Sequence, residues 1–205
     1  MRGKFVVIEG GDGAGKDTQI TLLYKEFGEK GIVYTRDPGG TVLGTKLREI
    51  VQHGEGIADE TELLLFLASR AQLVREVIRP NLEKGIHMLC NRFDYSTIAY
   101  QLYGRNQPQW KEFLAAASTF VRGELVPDLV VLLDAPPEVA LGRLAQRGQR
   151  MSRFEQEKLE FHNRVRQGYL EGVKEFPAVV VIDASRSIEV VYEDVRSAVK
   201  KILTV

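Results

Sequence analysis

The fold of this chain is decided at residues 9–18, which read Glu9-Gly10-Gly11-Asp12-Gly13-Ala14-Gly15-Lys16-Asp17-Thr18. An apolar run at 5–8 precedes this stretch and is short and β-branched enough to form a buried parallel strand. In the segment that follows, Ile20, Leu23 and Phe27 recur at helical spacing. A strand, a glycine-rich turn and a helix in this order are the context of a phosphate-binding loop, so we predict such a loop here.

The physical basis of this prediction is a concentration of positive charge. Glycines tolerate backbone angles that let consecutive N–H groups point inward, and the helix N-terminus and Lys16 add charge. A turn that merely joins a strand to a helix is the alternative, which the two flanking elements disfavour. One position departs from the pattern, because Asp17 stands where a Ser or Thr hydroxyl normally ligates magnesium. Thr18 comes one residue too late to replace that hydroxyl simply.

Composition limits the class of protein. A chain of 205 residues suits one domain, and 44% hydrophobic and 27% charged residues are usual for soluble globular proteins. The formal net charge of zero gives no global field that would favour nucleic acid or a membrane surface. The single cysteine, Cys90, excludes an internal disulfide and suits a reducing cytosol. Without a signal-like or membrane-spanning run, we expect a cytoplasmic protein with neither nucleic acid nor membrane as a partner.

Further apolar runs define the fold class. They lie at 32–35, 87–90, 129–133 and 179–182, with segments of helical period between them. Short apolar runs that alternate with helices predict an α/β domain over 1–205, with a five-stranded parallel sheet flanked by helices. Basic, acidic or glycine residues follow each run, and ligands of such sheets bind beyond the carboxyl ends of the strands. We therefore expect the site at that edge.

The segment 59–84 is predicted to be mostly helical, and its part at 62–70 is apolar nearly all round. Such a helix must be covered on every face, so we expect it to contact both the core and a second subunit in a homodimer. Phe66 and Arg70 are four residues apart and share a face, where they could stack on a planar base and hydrogen-bond its edge. Taken alone, Phe66 is better explained as an ordinary core residue, because phenylalanine is usually buried.

Four arginines lie close together, and we predict Arg143 and Arg147 on a helix that Pro137 opens and Arg150 and Arg153 in the glycine-containing connection that follows it. A run of charge is usually a solvated face of a helix. Arginine, however, neutralises charge in phosphoryl transfer, and a flexible segment can carry it over phosphates. Because the chain also has a phosphate-binding loop, we favour a lid segment near 143–155, followed by a helix that runs on from Phe154.

Taken together, these stretches resemble the thymidylate kinases, which phosphorylate dTMP with ATP, and the resemblance runs along essentially the whole chain. The motifs that carry it are 5–18, Thr35-Arg36-Asp37-Pro38-Gly39-Gly40-Thr41, 65–72, Asn91-Arg92-Phe93-Asp94-Tyr95-Ser96-Thr97-Ile98-Ala99-Tyr100-Gln101, 127–137 and 152–155. The resemblance implies the three-layer fold of P-loop NTPases, with ATP as phosphate donor and Mg²⁺ as cofactor.

The resemblance also implies roles for individual residues. ATP would be bound by Gly10, Gly11, Asp12, Gly13, Ala14, Gly15, Lys16, Asp17, Thr18, Arg147 and Arg150. The nucleotide dTMP would be bound by Asp12, Arg36, Asp37, Arg48, Phe66, Arg70, Arg92, Ser96, Thr97, Tyr100 and Gln101. The catalytic groups would be Lys16, Arg92, Arg153 and Asp37.

Four positions depart from the usual pattern of that family: Asp17 for Ser or Thr, Asn91 for Asp, Ser152 for Asp and Asp37 for Glu. Because a carboxylate is gained at Asp17 as another is lost at Asn91, we hypothesise that Asp17 reaches Mg²⁺ directly or through water and that Asn91 keeps only a hydrogen-bonding part. Asp12 is a second candidate near the metal. Two alternatives stay open here, a kinase for another pyrimidine deoxynucleotide and a nucleotide-binding protein with little or no turnover.

Overall fold

The computed structural model describes residues 2–28, 31–148, 150–176 and 178–203. In this part of the chain, five parallel strands form one sheet in the order β2-β3-β1-β4-β5. The strands are β1 (Phe5–Gly10), β2 (Ile32–Arg36), β3 (His87–Asn91), β4 (Leu129–Asp134) and β5 (Val179–Asp183). Each contains one of the apolar runs, so the predicted α/β fold with a five-stranded parallel sheet is confirmed.

Helices connect the strands. They are α1 (Lys16–Phe27), α2 (Val42–His53), α3 (Asp59–Leu73), α4 (Arg79–Glu83), α5 (Asp94–Thr97), α6 (Lys111–Arg122), α7 (Pro137–Gln146), α8 (Leu159–Gly172) and α9 (Ile188–Leu203). Two π-helical segments, Val74–Ile78 and Ile98–Gly104, continue α3 into α4 and extend α5. Short 3₁₀ turns occur at Pro108–Trp110 and Val173–Glu175.

Both faces of the sheet are covered by apolar side chains. Along β1, Phe5 and Val7 belong to one core cluster, whereas Val6 and Ile8 belong to a second cluster on the opposite face. Successive side chains of a strand point to opposite faces, so a continuous apolar run requires helices on both sides. The result is a sheet between two helical layers, with its carboxyl edge left for polar residues.

The bounds near the predicted lid segment differ from those expected. Helix α8 begins at Leu159, so the prediction of a helix that runs on from Phe154 is wrong. The intervening residues form turns, in which the Ser152 N–H donates to the Glu155 carboxylate at 2.7 Å. Arg147 lies just beyond the end of α7 rather than on that helix. Among the described residues, no helix is both long and apolar enough to cross a bilayer.

Candidate active site

A cavity of about 520 Å³ lies beyond the carboxyl ends of β1, β2 and β3, where the sequence predicted a site. Most of the predicted site residues line it: Asp12, Gly13, Ala14, Gly15, Lys16, Asp17, Thr18, Arg36, Asp37, Arg48, Phe66, Arg70, Arg92, Ser96, Thr97, Tyr100, Gln101 and Arg147. The other predicted residues are not part of this lining: Gly10, Gly11, Arg150 and Arg153. One cavity therefore holds the glycine loop at one end and the Phe66–Arg70 pair at the other.

The glycine loop connects β1 to α1 and has the backbone angles that a phosphate-binding loop needs. Gly10, Gly13 and Gly15 all have positive φ, with Gly13 at 79°. A Cβ on Gly13 would lie 2.2 Å from the carbonyl oxygen of Ala140 in α7. Only glycine fits at this position, because any side chain would both strain the backbone and collide with α7.

Lys16 begins α1 and is buried under the loop. Its Nζ donates hydrogen bonds to the carbonyl oxygens of Gly10 at 3.0 Å and of Gly11 at 2.7 Å. Burial, together with the nearby positive charge of Arg92, lowers the pKa of Lys16 to about 7, although Asp12 opposes this shift. An anion placed in the loop would restore the ordinary preference of this amine for its charged form.

Arg92 follows β3 and adopts a left-handed backbone conformation, with φ of 68°. Its Nη2 donates to Asp12 Oδ1 at 2.6 Å and to the Tyr100 hydroxyl at 3.0 Å. Its Nη1 donates to Ser96 Oγ at 3.0 Å and to the Tyr169 hydroxyl at 2.7 Å. The guanidinium is thus held in one orientation on the cavity wall, with its Nε–H left for a ligand, and a phosphate would take a second N–H by exchanging with one of these four partners.

The turn that carries Arg92 is held by Glu9, a carboxylate at the end of β1 with no exposed surface. Glu9 accepts hydrogen bonds from the Phe93 backbone N–H at 2.7 Å, from Ser96 Oγ at 2.7 Å and from the Tyr169 hydroxyl at 3.1 Å. Burial raises the pKa of Glu9, and Arg92 partly opposes this. Sequence reasoning missed both Glu9 and Tyr169, although an acid directly after an apolar strand was a usable signal.

The pKa of Asp12 is shifted in the opposite direction to that of Glu9. Burial would raise the pKa of Asp12, but the positive charges of Arg92 and Lys16 outweigh it and leave that pKa below its usual value. The Tyr100 hydroxyl also donates to Asp12 Oδ2 at 2.8 Å. Asp12 therefore stays a carboxylate that interacts with both Arg92 and Lys16.

Asp17 and Asn91, the two coupled departures from the family pattern, contact each other. Asn91 Nδ2 donates to Asp17 Oδ1 at 2.8 Å, and Arg36 Nη2 lies 3.6 Å from the same oxygen. Asn91 is 7% exposed, and its Oδ1 is buried with no hydrogen-bond partner among the described residues. A carboxylate and an unpartnered amide oxygen are therefore adjacent beside the glycine loop.

These oxygens fit Mg²⁺ of the kind that nucleotide phosphates carry. Such an ion takes one or two protein oxygens and completes its shell with phosphate oxygens and water. Within the ranges that the structure describes, no cluster of three or more His, Cys, Asp or Glu side chains could hold a metal by protein ligands alone. Asp17 and Asn91 thus suit a metal that arrives with a nucleotide.

Arg70 on α3 is buried, with 1% of its side chain exposed, and nearly all of its donors are used. Its Nε donates to Asp37 Oδ2 at 2.5 Å, and its Nη1 donates to Asp94 Oδ1 at 2.9 Å. Its Nη2 donates to the Phe93 carbonyl oxygen at 3.1 Å and to Thr97 Oγ1 at 2.7 Å. Four of the five N–H groups of a guanidinium are therefore engaged, and one on Nη1 remains for a ligand.

Asp37 is the strongest of these partners. Burial raises the pKa of Asp37, whereas Arg70 acts in the opposite direction.

Phe66 and Arg70, which were predicted to share a face of their helix, both line the cavity. The Phe66 ring packs on Phe154 at 5.9 Å between centroids, and Arg48 Nη1 donates to the Pro38 carbonyl at 3.1 Å.

The lid segment contributes less to the cavity than the sequence suggested. Arg147 lines the cavity and donates to Glu155 Oε1 at 2.9 Å. Arg153 instead pairs with the buried Glu62 on α3 at 3.0 Å, and its backbone N–H donates to the Gln52 carbonyl at 3.0 Å. Arg150 is exposed. The lid segment also contributes Arg143, Ser152, Phe154 and Glu155 to the lining, and three further lining residues had no role predicted from the sequence: Gln19, Gln52 and Arg186.

Comparisons with known proteins agree with this geometry. The profile of the family described as thymidylate kinase matches residues 8–195. A thymidylate kinase of Carboxydothermus hydrogenoformans is 44% identical over 198 residues, covering 94% of this chain and 95% of that protein. One of Pseudomonas putida is 44% identical over 208 residues, covering 99% and 98%. A crystal structure of thymidylate kinase from Ehrlichia chaffeensis superposes with a TM-score of 0.77 at 29% identity, covering 98% and 99%.

Proposed function

The chain belongs to the thymidylate kinase family, and from that premise we propose that it transfers the γ-phosphoryl group of ATP to dTMP, giving dTDP and ADP. The observation that carries the proposal is one cavity in which two cationic side chains, Lys16 and Arg92, can each bind a phosphate. Lys16 and the glycine loop lie at one end, and Arg92 is fixed between this loop and the wall that contains Phe66. Two anionic phosphates can therefore be presented to each other in one enclosure.

ATP takes the loop end in this proposal. The backbone N–H groups of residues 10–18 bind the β- and γ-phosphates, and the Lys16 ammonium exchanges its carbonyl partners for phosphate oxygens. Arg147, which already reaches the cavity from the end of α7, neutralises charge on the transferred group. Predicted roles for Arg150 and Arg153 require the lid segment to change position, because neither residue lines the cavity in this structure.

The nucleotide dTMP takes the other end. Phe66 stacks on the base, and Arg70 and Gln101 hydrogen-bond its edge, with Thr97 beside them. Arg92 binds the 5′-phosphate, supported by Arg36. Tyr100 lies against Arg92, with the guanidinium carbon 4.8 Å from the ring centre, where the ring would crowd a ribose 2′-hydroxyl. Asp12, between the two ends, is placed to accept a hydrogen bond from the sugar 3′-hydroxyl.

The chemistry asks little of this protein beyond alignment and charge neutralisation. The acceptor oxygen of dTMP is already anionic, so no general base has to remove a proton. Arg92 holds that phosphate in line with the γ-phosphorus, while Lys16 and the loop amides stabilise the charge that develops on the leaving oxygen. Asp17 and Asn91 are the residues that would hold a Mg²⁺ ion arriving with ATP, and such an ion would supply further positive charge against the phosphates.

Coupled measurement of ADP release with dTMP, dUMP, dCMP and UMP tests the proposal. We expect turnover with dTMP to exceed that with the other three acceptors. Turnover preferring another pyrimidine would reassign the substrate, and tight binding of both nucleotides without ADP release would support the nucleotide-binding alternative. Failure to bind either nucleotide in the presence of Mg²⁺ would overturn the assignment.

Replacing Asp17 with alanine should raise the Mg²⁺ concentration needed for half-maximal rate about 10- to 100-fold, with KM for dTMP little changed. The reason is the loss of the carboxylate that stands beside the unpartnered Asn91 oxygen. Electron paramagnetic resonance of Mn²⁺ with ATP should show the same weakening of metal binding without reference to turnover.

Asp183→Asn is the matched control, because Asp183 also lies at the carboxyl end of a strand but is exposed and outside the cavity. We expect this variant to leave the metal requirement unchanged. An unchanged requirement in Asp17→Ala would show that Asp17 does not contact the metal, directly or through water.

We also propose that the protein is a homodimer. Helix α3 packs on α2 and α6, and large apolar side chains on the outer faces of these helices are exposed: Val42, Ile50, Leu64, Phe113 and Phe120. Phe120 is 89% exposed, which is unusual for a side chain of this size outside an interface. The apolar character of 62–70 on all sides is explained if a second copy covers this face.

Sedimentation velocity should give twice the chain mass of 23.1 kDa at micromolar concentration. Leu64→Arg should shift the protein towards the monomer, because it buries a charge in the shared face. Val190→Arg, an equally exposed position on α9, should not. A wild-type monomer over the accessible concentration range would contradict the proposal. We place the reaction in the cytoplasm, which suits the single buried thiol of Cys90.

A further inference from the structure

The amide of Gln101 is held from one side only. Gln101 is 2% exposed and lines the cavity, and its Nε2 donates to Glu62 Oε1 at 3.0 Å. Within the described part of the chain, no donor contacts its Oε1. The amide therefore carries a free acceptor at the end of the cavity where Phe66 and Arg70 lie.

Glu62 determines which end of that amide faces the cavity. Its side chain has no exposed surface, and Arg105 donates to it from Nε at 3.1 Å and from Nη2 at 2.8 Å. Arg153 Nη2 lies 3.0 Å from Glu62 Oε2, the oxygen that also accepts from Arg105 Nη2. A carboxylate between two guanidiniums acts as an acceptor only, so Gln101 must direct its NH₂ towards Glu62. The reversed amide would place two oxygens against each other in a buried site.

We infer that Glu62 is a positioning residue for base selection: by fixing the Gln101 amide it makes the pocket accept N3–H pyrimidines and reject cytosine. The inference rests on the proposed function, since it assumes that the base of a nucleoside monophosphate occupies this end. Arg70 offers its remaining Nη1 donor, and Gln101 offers an acceptor. Thymine and uracil present the complementary O4 acceptor and N3–H donor, whereas cytosine presents an N4 donor and an N3 acceptor.

Cytosine would be mismatched at two positions. Its N4 donor would meet the Arg70 donor, and its N3 acceptor would meet the Gln101 acceptor. Because cytosine would leave buried polar groups unpaired at both positions, we expect the wild-type protein to bind dTMP about 10²-fold more tightly than dCMP. The inference makes no distinction between dTMP and dUMP, which share this edge.

Glu62→Gln is the direct test. An amide at position 62 can donate as well as accept, so the Gln101 amide can then turn either way. Isothermal titration of dTMP and dCMP should show the ratio of their dissociation constants falling by about tenfold or more, mainly through tighter dCMP binding. Glu157→Gln is the matched control, because Glu157 also pairs with Arg105 but does not contact Gln101. Its ratio should equal that of the wild type.

A double-mutant cycle shows whether Glu62 acts through Gln101. In a Gln101→Met background, Glu62→Gln should change the ratio no further, because no amide is left to orient. A further change of tenfold there would assign the effect to a general loosening of the pocket and overturn the inference, as would a ratio within twofold of wild type in Glu62→Gln alone.

A measurement on the unmodified protein covers the case in which Glu62→Gln does not fold. The Gln101 side-chain NH₂ resonances, assigned by their absence in Gln101→Met, should stay protected from exchange when dTMP is added. Loss of this protection with dTMP would mean that the NH₂ turns to the base, which overturns the inference. Failure of the wild-type protein to bind dTMP is a different outcome and would refute the proposed function itself.

Discussion

Replacing Arg92 with glutamine should lower kcat/KM for dTMP by about 10³ to 10⁵, the largest effect that we expect from a single substitution. Arg92 combines a full charge with a fixed orientation, because Asp12, Ser96, Tyr100 and Tyr169 all accept its N–H groups. Glutamine keeps some hydrogen bonding but leaves the acceptor phosphate without a counter-charge. It also leaves the Asp12 carboxylate to repel both phosphates.

Steady-state kinetics with dTMP and ATP varied in turn measures this effect. Arg92→Lys should give an intermediate loss, because it keeps the charge but not the planar fork of donors. Arg166→Gln is the control, since Arg166 pairs with Asp134 and does not line the cavity. We expect that variant to stay within about threefold of wild type. Arg92→Gln within tenfold of wild type, with cooperative thermal unfolding retained, would show that Arg92 does not bind the reacting phosphate.

Replacing Lys16 with methionine should lower kcat by about 10² to 10³ and should abolish proton uptake on ATP binding. In the wild type, burial lowers the pKa of Lys16 to about 7, and the polyphosphate should raise this pKa again. The bound form therefore holds a proton that the free form has lost above pH 7. The contribution to ATP affinity is complete below pH 7 and declines by up to tenfold per pH unit as the pH rises above it.

Calorimetry at pH 8 in buffers of different ionisation enthalpy measures the proton directly, and the wild type should take up about one per ATP. Lys25→Met, an exposed position on the same helix α1, should retain both the proton uptake and kcat. Equal proton uptake in the wild type and Lys16→Met would mean that another group titrates on binding.

The sheet was predictable because its information is local. Each of the apolar runs became a strand, and the glycine loop with its positive φ values falls where the sequence placed it. The start of α8 was not predictable in the same way. Its helical period extends back to Phe154, but the hydrogen bonds between Ser152 and Glu155 fold that stretch into turns before Leu159.

The site was predictable in membership but not in pairing. The motifs brought most cavity-lining residues together, because the carboxyl ends of parallel strands share an edge. Arg153 was predicted to face the phosphates, yet it contacts Glu62, a residue 91 positions earlier that also accepts hydrogen bonds from Gln101 and Arg105. Arg70 likewise has most of its donors occupied by partners that no local pattern specifies. Long-range pairing of buried charges is a property of the folded chain.

The carbonyl partners of Lys16 have a consequence for the end of the catalytic cycle. Because the carbonyl oxygens of Gly10 and Gly11 accept hydrogen bonds from Lys16 in this structure, the departure of ADP does not leave the buried ammonium without hydrogen-bond partners. The carbonyl oxygens of the loop replace the phosphate oxygens of ADP as hydrogen-bond acceptors. Above pH 7 the Lys16 amine can also lose its proton, because its pKa is lowered to about 7. We therefore expect movement of the lid segment to limit the rate at which ADP dissociates. Breaking the hydrogen bonds between ADP and the Lys16 ammonium should not be the limiting step.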